Sequence, residues 1–520
     1  MTAKSRYDYL RSFRDDFLDE AVRASELTLP YLIKQDDDTS THKNLRTPWQ
    51  SVGAKGVTTL ASKLMLALLP PQSSFFELQM DESVVGEEVD PRVRSELDLA
   101  FAKIERTIMD LIAQSDDRVV VHQALKHLVV SGNALIFMDK EKLKCYPLNR
   151  YVIQRDGIGN VIEIVCKEQI SKKLLPELQE LEPRPMPASE EYNDTRHDEV
   201  DVYTCVKREG KFMHWHQEVY DKIIPGTISK APLDVNPWLP LRFNTVDNED
   251  YGRGRVEEFI GDLKSLEALS QALVEGSAAA AKVVFTVSPS STTKPATLAK
   301  AGNGAIVQGR PDDIGVVQVG KTADFQTAYQ MTMTLEKRLA EAFLILQVRD
   351  SERTTAEEVR MTQLELDQQL GGLYSLLTVD FLVPYLNRKL SVAQKKGEIP
   401  KLPKKFIRPA IVAGVNAIGR GQDRDSLTMF MTTIAQTLGP EAMLRFINPD
   451  EVIKRLAASQ GIDVLNLVKS MEELQQQDAA EQQQAQQMEL AKQASQIQRN
   501  QMEMDNAGAN TPQGNPQPQG

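Results

Sequence analysis

An α+β chain in which helix predominates is what this sequence predicts, on three observations. The apolar residues of the first ~130 positions step by three and four, and from Asn133 onward they alternate. After residue 254 the helical period returns in two long stretches, separated by an insert rich in Pro, Gly, Ser and Thr.

The elements follow in order. Residues 14–29 are charged and amphipathic. The stretch TPWQSVGAKGVTTLASKLMLALLPP, residues 47–71, becomes almost wholly apolar over 60–69 and reads as a core helix stopped by Pro70 and Pro71. Val93, Leu97, Phe101, Ile104, Ile108, Leu111 and Ile112 mark the face of another helix. NALIFMD, YVIQRDGIGNVIEIVCKE and VDVYTCVKREGKFMHWHQEVY then read as strands and hairpins, with turn chemistry at Asp156-Gly157 and Glu209-Gly210. Between them, LLPELQELEPRPMPASEEYNDTRHD is a Pro/Glu-rich surface excursion. Val256, Phe259, Ile260, Leu263, Leu266, Leu269 and Leu273 predict one helix over 255–282, about 42 Å long at ~1.5 Å per residue. Residues 283–321 form a short β-rich insert, and Phe325, Ala328, Leu335, Leu339, Phe343 and Leu346 stripe a second helix over 322–347.

RDSERTT, residues 349–355, interrupts that pattern before a further helix resumes, capped by Thr354 or Thr355 with Glu357 and Glu358 in its first turn. A basic run follows: Arg388, Lys389, Lys395, Lys396, Lys401, Lys404, Lys405 and Arg408. FIRPAIVAGVNAI reads as a strand returning to the sheet, and RDSLTMFMTTIAQTL and PDEVIKRLAASQG as short helices. Residues 475–520 hold 15 glutamines and no aromatic residue, so a polar helix ending in disorder is expected there.

The totals narrow the function classes. A chain of 520 residues holds two to four structural units. With 61 Lys+Arg against 73 Asp+Glu, its net charge of −12 argues against a surface-wide nucleic-acid coat. Cys145, Cys166 and Cys205 form no CxxC pair, and the N-terminus has no apolar signal region. These features predict a soluble protein made in a reducing cytosol. No window reaches the ~20 apolar residues of a bilayer span.

Each chemical motif has a plainer reading. Lys55 precedes Gly56 and Val57 follows it, so the lysine of a nucleotide P-loop would leave on the wrong side. His214 and His216 share a strand face but lack companions with metal-site spacing, and His122 and His127 are five apart. Asp247, Glu249 and Asp250 lack the ligand spacing of a calcium loop and read as a turn. YGRGR lacks the third glycine of a dinucleotide fingerprint and reads as a hinge into the long helix. No catalytic, cofactor-binding or metal-binding set emerges. The basic run, including Lys401, Lys404, Lys405 and Arg408, is either a solvated loop or a patch for DNA phosphates or an acidic neighbouring subunit. Arg349 and Arg353, in a short loop between helices, are placed to face DNA or a neighbouring subunit.

NLRTPWQSVGAKGVTTLASKLMLALLPPQSSFFEL, PWLPLRF, YGRGRVEEFIGDLKSLEALSQA, GNGAIVQGRPDDI, RTTAEEVR and IVAGVNAIGRGQDRDSL, in this order, resemble the head-to-tail connector, or portal, of short-tailed, podovirus-type bacteriophages. The resemblance implies a portal fold. Its parts would be a wing (1–254), a stem helix (255–282), a small β-containing clip (283–321) and a second stem helix (322–347). A tunnel loop with a long wing helix (348–408), a return strand with helical crown (409–474) and the Gln-rich tail (475–520) would complete it. It implies no enzyme and no cofactor, but a homo-oligomeric ring, a dodecamer, at one capsid vertex of the virion. The ring would pass double-stranded DNA non-specifically. It would meet the terminase large subunit, a tail adaptor or tail tube protein, major capsid and scaffolding proteins and internal core proteins, with no membrane partner. Arg349 and Arg353 fall in its tunnel loop, and Lys294, Lys300 and Arg310 in its clip. The alternatives are a packaging ATPase or nuclease, which needs a P-loop and an acidic metal cluster, and an internal scaffold protein.

Overall fold

The computed structural model describes residues 2–35, 45–71, 74–80, 91–140, 142–174, 199–280, 284–290, 294–302, 314–317, 322–345, 372–400 and 407–411, positions 306, 308, 310 and 312, and residues 429–434 and 436–437. The chain divides into two compact units, Met1–Ala417 and Ile418–Gly520. In the second unit the described residues are helical, with the Thr433 and Thr437 hydroxyls bonded back to the Met429 and Thr433 carbonyls. The first unit is a mixed α+β structure.

Helix α1 (Ala3–Glu26) lies on a sheet, and its N-terminus is fixed by that sheet's carboxylates. Glu218 Oε2 accepts from the Ala3 backbone N–H at 2.6 Å, where the helix dipole favours negative charge. Glu163, nearly fully buried, takes Arg6 Nε at 2.6 Å. Helix α2 (Val52–Leu68) starts well before the apolar run that predicted it, and Leu60, Leu64 and Leu68 are buried. Helix α3 (Pro91–Gln114) buries Phe101, Ile104, Ile108 and Ile112. Helix α4 (Asp117–Ser131) runs through the core between α2 and α1. One correction belongs here: the N-terminal portion is not all helix, because strand β1 (Phe76–Met80) interrupts it.

Within α4, His127 is 1% exposed and its Nδ1 has no hydrogen-bond partner among the described residues. Burial lowers its pKa from 6.5 to about 4. The unfolded chain therefore binds a proton that the folded chain refuses. Stability from the neutral imidazole is complete above pH 6.5 and is lost as pH falls toward 4, by roughly 3 kcal/mol in all. His127→Leu should remove that loss, so the wild-type minus variant stability difference should fall as pH drops from 6.5 toward 4; parallel pH profiles by urea denaturation would refute this.

Two sheets follow. In the three-stranded sheet, β2 (Asn133–Met138) lies between β3 (Leu143–Tyr146) and β10 (Trp238–Arg242), all antiparallel. The larger sheet orders β4 (Tyr151–Arg155), β5 (Val161–Ser171), β6 (Glu199–Glu209), β7 (Phe212–Val219) and β8 (Lys222–Ile223), with β9 (Ser229–Pro232) also pairing β7. Both predicted hairpins are present: Gly159 and Gly210 adopt positive φ at the β4–β5 and β6–β7 turns. All three cysteines are free, and burial pushes the thiols of Cys145 and Cys205 up to about 12.

The single long helix expected over 255–282 is broken. A turn, α5 (Arg255–Glu258), ends at Phe259 (φ −116°), and α6 (Ile260–Ala280) restarts beyond it. The insert pairs β11 (Val284–Val287) with β12 (Ile314–Val317), but it also carries a short helix, α7 (Pro295–Lys300), which its Pro/Gly/Ser/Thr composition masked. Helix α8 (Thr322–Ala342) follows. Helix α9 (Val383–Lys396) is entered through a π-helical turn, Thr378–Leu382. Pro384 is the cause, since it lacks an N–H and its ring would strike the carbonyl four residues back. Finally, among the described residues β13 (Ile407–Ile411) joins neither of those sheets and pairs with β1, Leu78 opposite Pro409. Pro409 has no N–H to donate, which suits a two-stranded edge ribbon better than a sheet interior.

Candidate functional site

Helices α6 and α8 form an antiparallel rod. Gly276 meets the Phe325 ring near one end, and Asp262 pairs with Arg338 at 2.9 Å near the other. A Cβ on Gly276 would stand 2.5 Å from the Phe325 ring, so the ring edge occupies the space that a side chain at 276 would take. Leu263, Leu266, Leu335 and Leu339 fill the seam. The β11–β12 pair is joined to the Gly276–Phe325 end.

The exit from α8 is held from three directions. Phe343, fully buried, fills a notch over Gly56 of α2 and packs on Phe259 (6.1 Å between centroids). The half-buried Lys63 donates to the Leu344 carbonyl at 2.6 Å, and Arg255 to the Ala342 carbonyl at 3.3 Å. Desolvation pushes the Lys63 pKa down. Leu344 takes φ 56°, and the Leu344 and Ile345 amides bond back to Glu341 and Ala340, closing the helix in a Schellman turn. Glycine usually holds that position, and leucine there is strained by roughly 1 kcal/mol. Sequence reading missed this clamp, because a lysine bonded to a distant carbonyl leaves no periodic signal. Arg349 and Arg353, the proposed cap Thr354 or Thr355, and Leu346 lie just past it, outside the described residues.

At the same end of the rod, the glycines of YGRGR serve backbone contact. A Cβ on Gly254 would be 2.5 Å from the Val130 carbonyl oxygen, and one on Gly252 would be 2.7 Å from that of Gly132. The Asn133 side chain donates to the Gly252 carbonyl and accepts from its N–H, both at 2.8 Å. Gly132, at φ 73°, caps α4 beside it. The acidic loop is held by arginines. Arg253 pairs with Glu249 and Glu257, each at 2.7 Å, while the Arg155 backbone N–H donates to Asp250 Oδ1 at 2.7 Å and the Arg155 Nε to the Asp250 carbonyl at 3.0 Å. Asp247 is exposed at the rim of a cleft of about 440 Å³.

The remaining candidates separate. His214 lies 3.8 Å from Glu209, His216 bonds Glu218 at 2.9 Å, and His122 meets the Ser62 hydroxyl at 3.2 Å, while His127 sits in the core. Lys294 precedes α7, Lys300 ends it, and Arg310 stands outside any element; all three are exposed, with no ion pair among the described residues. The basic run is not uniformly solvated. Arg388 donates to the Val235 carbonyl at 3.4 Å, and Lys389 pairs with the fully buried Asp117 at 2.5 Å. Lys395 and Lys396 are exposed; Lys401, Lys404 and Lys405 lie outside the described residues, and of Arg408 only the β13 backbone is described.

Comparison with known proteins settles what this architecture belongs to. The family model for the bacteriophage head to tail connecting protein matches residues 1–467. The portal protein of Enterobacteria phage T3 is 38% identical over 494 residues, covering 92% of this chain and 91% of its own. That of Escherichia phage T7 is 36% identical, covering 91% and 89%. The neck of an empty gene transfer agent particle overlays with a TM-score of 0.39 at 12% identity, covering 80% of this chain and 90% of that one, a likeness too slight to place individual elements. The family is structural rather than enzymatic, and its members form an oligomeric ring linking head and tail. A match over nine-tenths of both partners places the chain without ambiguity: it belongs to the bacteriophage head-to-tail connecting proteins, a portal protein that joins head to tail in the virion.

Proposed function

We propose that the ring is a dodecamer that conducts double-stranded DNA during packaging and ejection, and that its parts divide the labour. In this reading the helices and sheets of 1–254 are the wing, α5–α6 and α8 the stem, and the 283–321 insert the clip. Residues 348–408 carry the tunnel loop and a wing helix, 409–474 the crown and 475–520 a tail. The observation that carries it is the rod: two antiparallel helices closed at one end by a small β pair, a shape suited to standing beside identical rods around an axis. Exposed Lys294, Lys300 and Arg310 suit docking of the terminase large subunit and later a tail adaptor or tail tube protein on acidic surfaces. The wing and crown would meet the major capsid, scaffolding and internal core proteins.

DNA has to slide, so reading of bases would hinder it. A net charge of −12 repels the duplex, and isolated cations such as Arg349 and Arg353 touch phosphates weakly and without regard to sequence. Lys401, Lys404, Lys405 and Arg408 are the further candidates for phosphate or subunit contact.

Negative-stain images of the purified protein should show rings with a central hole, in wild type and in the Arg349→Ala/Arg353→Ala variant alike. Phage carrying that variant should lose filled heads severalfold. Solitary, pore-free particles would overturn the ring; normal filling and retention of DNA by the variant would overturn the role of the two arginines.

A further inference from the structure

The α6–α8 rod has two flanks of different character. Along one, residues 45–50 form a strap over α6: Glu267 accepts from the Trp49 N–H at 2.9 and 3.0 Å and from the Gln50 N–H at 3.3 Å, and Arg46 donates to Gln271 at 3.3 Å. These bonds fix the backbone while leaving the Trp49 indole 44% exposed. Val274, two helical turns beyond Glu267 on the same face, is 52% exposed. On α8, Tyr329 and Met333, one turn apart, are 57% and 51% exposed.

The second flank is marked by the Arg338–Asp262 ion pair. Met331, two turns from Arg338 on the same face of α8, is 53% exposed. Beside it α6 presents Ser265 and Ala272, both small and exposed. Tyr329 lies half a revolution around α8 from Arg338, so the bulky flank and the small-residue flank face opposite ways.

We propose that Trp49, Val274 and Tyr329 of one subunit dock against Met331, Ser265 and Ala272 of a neighbouring copy of this chain, which makes the 45–50 strap part of the subunit boundary. The inference rests on the ring reading. A closed ring requires each subunit to carry two different, complementary surfaces directed oppositely, and these flanks are such a pair. Exposed Trp and Tyr held in place beforehand lose little freedom on contact and act as anchors, while small residues opposite leave room for them. Large apolar groups exposed together on one flank mark an interaction site rather than ordinary surface.

The test uses the full-length chain in a Cys145→Ser background, where Cys166 and Cys205 are buried. Val274→Cys and Met331→Cys together, treated with a short bismaleimide, should give a ladder of covalent dimers, trimers and larger species, whereas neither single variant should link. A dimer from one single variant would overturn the proposal, since it would show a self-complementary contact. Rings on the grid without a ladder would also overturn it and leave the ring reading standing, whereas no rings at all would remove the reading beneath it. Independently, Trp49→Ala should raise the protein concentration needed for ring formation about tenfold in sedimentation velocity; an unchanged threshold would count against the strap.

Discussion

Alanine in place of Gly254 should lower the stability of the purified chain by about 3 kcal/mol or more. The φ of −82° at Gly254 is one any residue adopts, so the effect comes from contact alone. Its new methyl would lie 2.5 Å from the Val130 carbonyl oxygen and 2.9 Å from the Gly132 nitrogen. Both are backbone atoms, and no rotamer change can relieve them. The junction among α4, β2 and α5 would have to open, which displaces the base of the rod. Circular dichroism during urea titration measures the loss, and Gly157→Ala is the control. That glycine, in the β4–β5 turn, has nothing within 4 Å of its would-be Cβ, and its replacement should stay within about 0.5 kcal/mol of wild type. Equal midpoints for the two variants would refute the close-approach argument.

Removing the carboxylate of Asp117 is expected to be as damaging. Asp117 is fully buried; Lys389 Nζ and the Tyr385 hydroxyl both reach its Oδ2 at 2.5 Å. Desolvation and the neighbouring carboxylate together push the Tyr385 pKa well up, so the phenol stays a donor. Asp117→Ala would leave a largely buried ammonium without its counter-ion and a buried hydroxyl without its acceptor, at a loss of about 3–5 kcal/mol. Asp117→Asn keeps an acceptor for Tyr385 and should lose less. Combining Asp117→Asn with Lys389→Met should recover part of that loss, since no charge is then stranded. Additive losses in the double variant would argue that the pair does not interact as drawn. Because α9 meets α4 at this point, the same variants should loosen the π-helical turn that leads into α9.

The sequence was informative where structure is local. The β4–β5 and β6–β7 hairpins carry their own turn residues, and of the two helical stripes Val256, Leu263, Leu266, Leu335, Leu339 and Phe343 are buried while Phe259, Ile260, Leu269, Leu273, Phe325 and Ala328 are partly buried. It was silent where a strand finds its partner far along the chain. Nothing in FELQM announces that it pairs with IRPAI, because a two-stranded ribbon buries too little to impose a long pattern. Side-chain bonds to distant backbone were equally invisible: Glu267 to Trp49, Lys63 to Leu344, Asn133 to Gly252. The glycines of YGRGR stand out in the sequence, yet their purpose lies in residues 130–132, which no spacing rule connects to them. Pro384 could have warned of the π turn, for a proline inside a helical pattern has to be accommodated somewhere. The residues proposed to touch DNA rest on the resemblance and on charge, since an arginine in a loop looks the same whether or not a phosphate passes it.

The β1–β13 ribbon has a consequence in time. Its two strands are separated by more than 300 residues, so on a ribosome adding about 5–20 residues per second β1 waits tens of seconds for its partner to be synthesised. During that wait one edge of β1 is partly tended, since Glu105 accepts the Leu78 N–H at 2.7 Å, while the other stands open. Nascent chains are thus exposed to strand exchange with one another until the second half emerges, and a polysome crowded with this message is where misassembly would begin.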